Sequence, residues 1–157
     1  MAEETNNVIF LSQSEEPLSK FPTDAELLES FAKHRGDFDR LRSMVNEDKA
    51  HGAIFSDDSL PESLASERKQ QYHLLFAAIR PGLTVTADHD GIVRFIFAIR
   101  GTSAIGPSSL KGIEFVPSAA RSGGTVVQNL DDADQLAEGI YLRSIEPAWY
   151  LFYQRTL

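Results

Sequence analysis

Four histidines, His34, His51, His73 and His89, are the first residues to test for chemistry. No two stand four apart, so none forms the helical pair that grips a metal ion. Serine, histidine and aspartate all occur, but no serine sits in the glycine pattern of a nucleophile elbow. Asp88-His89-Asp90-Gly91 resembles a fragment of a calcium loop. A full loop needs further oxygen ligands and a terminal glutamate, which are missing, so a hairpin turn is expected there. Asp131, Asp132 and Asp134 could hold a cation weakly, or could open a short helical turn whose dipole they complement. The run Gly101–Ser109 is small and hydroxyl-rich, and Leu110-Lys111-Gly112 follows it. It could cradle an anion as a backbone nest. It is not a P-loop, because the Gly-Lys-Ser/Thr ending is absent. These residues yield no catalytic set, no cofactor site and no metal site.

Composition narrows the classes further. The chain has 157 residues, enough for one domain with one core, and a net charge of −8. That charge argues against sequence-blind nucleic-acid binding, which needs clustered cations. No cysteine is present, which removes disulfides, thiol catalysis and thiolate metal sites. No apolar run approaches the ~20 residues that span a bilayer. Residues 1–66 carry 14 acids and 6 bases, whereas residues 67–157 carry 9 of each. The acidity therefore belongs to the first half, where it could steer a basic partner or simply coat a solvated helix surface.

The elements that must position these groups follow from periodicity. Residues 1–22 read as an arm, with a short edge strand at Val8–Leu11. Residues 23–157 read as one domain. Thr23 and Glu26 form a capping box, and Leu27, Phe31, Phe38, Leu41 and Val45 recur at helical spacing. One helix is expected from Thr23 to about Lys49, with Gly36 marking a close packing approach. Ser59 and Glu62 repeat the capping pattern, so a second helix is expected to run to Ile79, stopped by Pro81-Gly82. After Gly82 the period changes to that of strands. Val93, Phe95, Phe97 and Ile99 are expected on one face of a central strand, opposite Arg94 and Ile96. Further strands are expected at Leu83–Ala87, Leu110–Val116, Val126-Val127, Ile140–Ile145 and Trp149–Gln154. The fold class is α+β: two N-terminal helices packed on a curved antiparallel sheet of five or six strands.

One resemblance spans most of the chain from about residue 24. Phe31-Ala32-Lys33-His34-Arg35-Gly36-Asp37-Phe38, Glu67–Phe76, Arg100-Gly101, Ser108–Gly112 and Trp149-Tyr150-Leu151-Phe152-Tyr153 occur in an order similar to that of a family of small uncharacterised bacterial proteins, often lipoprotein-like. Ile113 stands where that family has an aromatic residue, and Glu146-Pro147-Ala148 departs from its approach to the last strand. The resemblance implies a helix pair before a sheet and an envelope location. It implies no activity and no catalytic residue. Met1–Asn7 lacks the basic and apolar regions of a secretion signal, so an envelope protein of this kind would carry a signal ahead of Met1, and otherwise a cytoplasmic location is expected.

Three functions compete. The favoured one is a non-catalytic acidic binding protein, an inhibitor or immunity-type protein that holds another protein. Its expected partner-binding residues are Arg35, Arg100, Lys111, Arg143 and Trp149: cations that pair with carboxylates, and an aromatic anchor. A core position is the competing reading of Trp149. The second function is an envelope ligand-binding or structural domain. The third is a small hydrolase using His34, Arg35 or Lys111 in one cleft.

Overall fold

The structure, a computed structural model, describes residues 21–101, 107–117 and 123–157. The expected edge strand at Val8–Leu11 lies outside these residues. The chain begins with the expected capping box. Thr23 Oγ1 accepts the Glu26 N–H at 3.1 Å, and Glu26 Oε1 accepts the Thr23 N–H at 2.9 Å. Helix α1, Asp24–Lys33, follows, and buries Leu27 and Phe31.

The expected single long helix is two. His34, at φ −116° and ψ 28°, leaves helical geometry, and α2 starts afresh at Arg35–Asp48. The break re-aims the apolar stripe, so that Phe31 and Phe38 meet at 5.6 Å between ring centroids. Gly36 faces open space and marks no close approach. A 3-10 turn, Lys49–His51, leads to strand β1, Ile54–Ser56. This strand is absent from the sequence reading, because three residues give no period. Helix α3 is Ser66–Ile79, later than Ser59 and Glu62 implied. Ser59 instead bridges back to Ser56 across a tight turn. Tyr72, Leu75, Phe76 and Ile79 are buried as the stripe requires. Asp48 ties α2 to α3, 2.7 Å from Arg68 Nε and 2.8 Å from the Tyr72 hydroxyl. Burial, and then that hydrogen bond, pushes the Tyr72 phenol well above its ordinary pKa.

The remaining strands are β2 (Thr84–Ala87), β3 (Val93–Gly101), β4 (Ser108–Phe115), β5 (Thr125–Val126), β6 (Gly139–Glu146) and β7 (Trp149–Thr156). They form one seven-stranded sheet in the order β1-β2-β3-β4-β7-β6-β5. All pairs are antiparallel except β5 with β6. Among the described residues the fold is thus α+β with three helices and seven strands, larger by one helix and at least one strand than expected. The β2–β3 connection is the predicted hairpin turn: Asp88 Oδ1 accepts the N–H groups of Asp90 and Ile92, and Gly91 supplies a φ of +86°.

Both faces of the central strands are apolar. On the helix side the row Phe95–Ile113–Leu151 lies under Phe38, Leu41 and Val45 in one core. On the other side Ile96, Phe152 and Leu142 form a second, smaller cluster. One irregularity governs everything beyond it. The β3–β4 register shifts between Ile96 and Ala98, so Phe97 is the extra residue of a β-bulge. Phe97 keeps the core side, but Ile99 moves to the opposite face beside Leu110 and is 53% exposed. The alternation expected to keep Ile99 with Phe97 fails for that reason.

Gly112 sits against this bulge. A Cβ there would lie 1.9 Å from the Phe95 carbonyl oxygen and 3.1 Å from the Phe97 nitrogen, both backbone atoms that cannot rotate away. Gly112→Ala is therefore expected to destabilise at or above the upper end of the ~1–3 kcal/mol typical of overpacking. Thermal unfolding followed by circular dichroism measures it. An unchanged midpoint would mean that the bulge is not held by this contact.

Candidate functional site

The bulge also decides where Arg100 points. Without it, Arg100 would share the face of Arg94 and Ile96. With it, Arg100 pairs across the sheet with Ser109 and then Arg155 on the helix side, one row beyond Lys111 and Tyr153. The described helices do not fill this end of the sheet, and the two polar rows floor a cleft of about 290 Å³ lined by Arg100, Ser108, Ser109, Tyr153 and Arg155. An adjoining hollow of about 220 Å³ shares Arg100, Tyr153 and Asp134, and reaches Phe21, Lys111 and Asp131.

Beneath the hollow lies a buried ion cluster. Asp24 and Lys111 are 1% and 2% exposed. Lys111 Nζ stands 3.0 Å from Asp24 Oδ1 and 3.2 Å from Asp131 Oδ1. The contact with Asp24 Oδ1 is ionic rather than an aligned hydrogen bond. Arg143 donates to Asp24 Oδ2 at 2.9 Å, and the Leu130 N–H donates to the same oxygen at 2.8 Å. The Asp24 N–H in turn donates to Asp131 Oδ1 at 2.8 Å. Burial alone would push the Asp24 carboxyl up. The Leu130 hydrogen bond, then Arg143 and Lys111, outweigh burial and hold it below the usual carboxylate range. The cluster joins the start of α1 to β4, β6 and the segment at Leu130-Asp131, so it stitches four parts of the chain together.

Of the five residues singled out from sequence, three converge here. Lys111 and Arg143 both hold Asp24, and Arg100 lines the cleft above them. The other two meet elsewhere. Arg35 lies with its guanidinium carbon 5.0 Å from the Trp149 ring centre and pairs with Glu146 at 3.1 Å. Trp149 is 2% exposed inside an aromatic cluster, so the core reading holds for it. Lys111 is likewise inside the protein, whereas Arg35, Arg100 and Arg143 reach solvent.

Sequence alone assigns neither Asp24 nor Asp131 a buried partner, and places Asp131 among acids that complement a short helical turn or hold a cation weakly. A signal was there for Asp24. It falls on the same helical stripe as Leu27 and Phe31, where an acid must find a buried partner. Lys111 carries the matching signal, alternating with Ile113 and Phe115 on an inward row. Asp131 is half-exposed and serves Lys111. No group of three or more potential metal ligands gathers among the described residues. No described helix is long and apolar enough to cross a membrane.

Set beside known proteins, the chain matches no family model, no curated protein and no solved structure.

Proposed function

We propose that this is a non-catalytic binding protein of inhibitor or immunity type, which holds another protein on the sheet face that carries none of the described helices. The observation that carries this reading is the contrast between the two faces. The helix side is filled by a close-packed aromatic core. The opposite face presents a groove of about 410 Å³ crossing six strands, from Ile54 on β1 through Arg94 and Glu114 to Ile140 on β6. Ile54, Ile99 and Val126 stand 59%, 53% and 66% exposed. Large exposed apolar side chains around a groove on one face are the mark of a protein-binding surface. The acidic first half would steer a basic partner toward the molecule. Membership in the bacterial family that the chain resembles, and an envelope location, belong to this proposal as its second reading. The small-hydrolase reading finds less support, because the cleft has Lys111 at its floor and neither His34 nor Arg35 in its lining.

The test is capture of a stoichiometric partner from native-host lysate at ~150 mM salt. It is then repeated with Ile54→Glu and Ile99→Glu, which alter exposed residues. The expected result is one partner whose retention falls about tenfold or more with either variant, while the melting temperature stays unchanged. An empty column, or a partner retained equally by both variants, would overturn the reading.

A further inference from the structure

The cleft on the helix side is separate from the proposed protein-binding face, and the cation on its wall pairs with no carboxylate among the described residues. Arg35, Arg68 and Arg94 each pair with a carboxylate. The Arg100 guanidinium instead lies 4.5 Å from the Phe21 ring centre, and its Nε is buried with no acceptor among the described residues. Buried donors nearly always have a partner, so this guanidinium, which lines both hollows, is short of acceptors. Ser109 is buried beside it. Its hydroxyl accepts from the Tyr153 hydroxyl at 3.2 Å and so retains its own proton to donate. Arg155 spends one nitrogen on the carbonyls of Asp134 and Leu136 but keeps its charge in the lining.

The same cleft has an acceptor end. Asp131 is already engaged by Lys111 and by the Asp24 N–H. Asp134 lines both hollows and is exposed. A phosphate dianion would meet both carboxylates, whereas a planar monoanion fits the fork of an arginine and avoids that repulsion. We propose that this cleft is a binding site for a small zwitterion of the amino-acid type, its carboxylate on Arg100 and Ser109 and its ammonium toward Asp134. The combined space lies at the small end of the range for ligand sites, which suits a single amino acid.

Titration calorimetry of the full chain tests this with alanine, phenylalanine, glutamate and lysine as probes. Propionate serves as the carboxylate without an amine, alanine methyl ester as the amine without a carboxylate, and inorganic phosphate as the rival anion. At least one amino acid is expected to bind more tightly than propionate, the ester or phosphate. Arg100→Gln is expected to weaken it by about tenfold or more, the effect of losing a charged hydrogen bond. Asp134→Asn should weaken the amino acid but leave propionate unchanged. Silence from all four amino acids, phosphate binding as tight as theirs, or unaltered binding by Arg100→Gln would overturn the proposal. If Arg100→Gln does not fold, the surface variant Asp134→Asn decides alone, and amino-acid binding unchanged in it would overturn the proposal.

Discussion

Asp24→Asn is expected to cost about 3–5 kcal/mol of folding stability, because it leaves buried Lys111 and half-buried Arg143 without their shared anion. Asparagine keeps the size of the side chain, so the loss reports charge rather than volume. Urea unfolding of the wild type, Asp24→Asn, Lys111→Met and the double variant measures it as a cycle. The double variant should lose much less than the sum of the two singles, since neither charge is then stranded. Additive losses would mean that the two residues do not act on each other. The pH dependence has a definite sign. The Asp24 carboxyl is held below its ordinary range in the folded state, so its contribution is fully present above about pH 5. It is lost as pH falls through the folded value, where protonation removes the anion. Asp24→Asn should therefore flatten the acid limb of the stability profile. A wild-type profile that fell instead on raising the pH from 5 to 7 would contradict this origin.

Trp149→Ala should destabilise by a similar ~3–5 kcal/mol, through a different mechanism. The indole stands 5.1 Å from the rings of Phe31 and Phe115 and 5.9 Å from Phe95, measured between ring centres. Its loss opens a cavity where α1 meets the sheet, and removes the surface on which Arg35 rests. Trp149→Phe should recover more than half of the loss, because an aromatic ring still fills most of the space. The variants must be followed by circular dichroism, as Trp149 is the only tryptophan and its fluorescence disappears with it. A loss below about 1 kcal/mol would place the indole outside the core and return it to the role of a surface anchor.

Much of the architecture was readable from residue type and spacing. The capping box at Thr23 and Glu26 is satisfied in both directions. The stripe Leu27, Phe31, Phe38, Leu41 and Val45 is buried, and the turn at Asp88–Gly91 forms. These features rest on contacts within one turn or on a repeat sustained over many residues, both of which a sequence displays. The helix break at His34, the strand at Ile54–Ser56 and the parallel pairing of β5 escaped. Each is short and depends on what packs against it, so no period announces it.

The candidate site divides in the same way. Sequence alone determined that the molecule is an acidic, cysteine-free α+β domain, and that Lys111 and Arg100 follow and precede a hydroxyl-rich run. Only the tertiary structure decided that these residues meet. Asp24, Lys111, Asp131 and Arg143 are separated along the chain and come together because the start of α1 packs where β4 and β6 present Lys111 and Arg143. Arg100 joins them through one extra residue in β3. A strand alternates strictly, so a single bulge at Phe97 reverses the facing of everything after it, turning Arg100 into the cleft and Ile99 out to solvent. That reversal is set by the backbone of Gly112 and Phe95 across two strands, a pairing that no local pattern in the chain encodes.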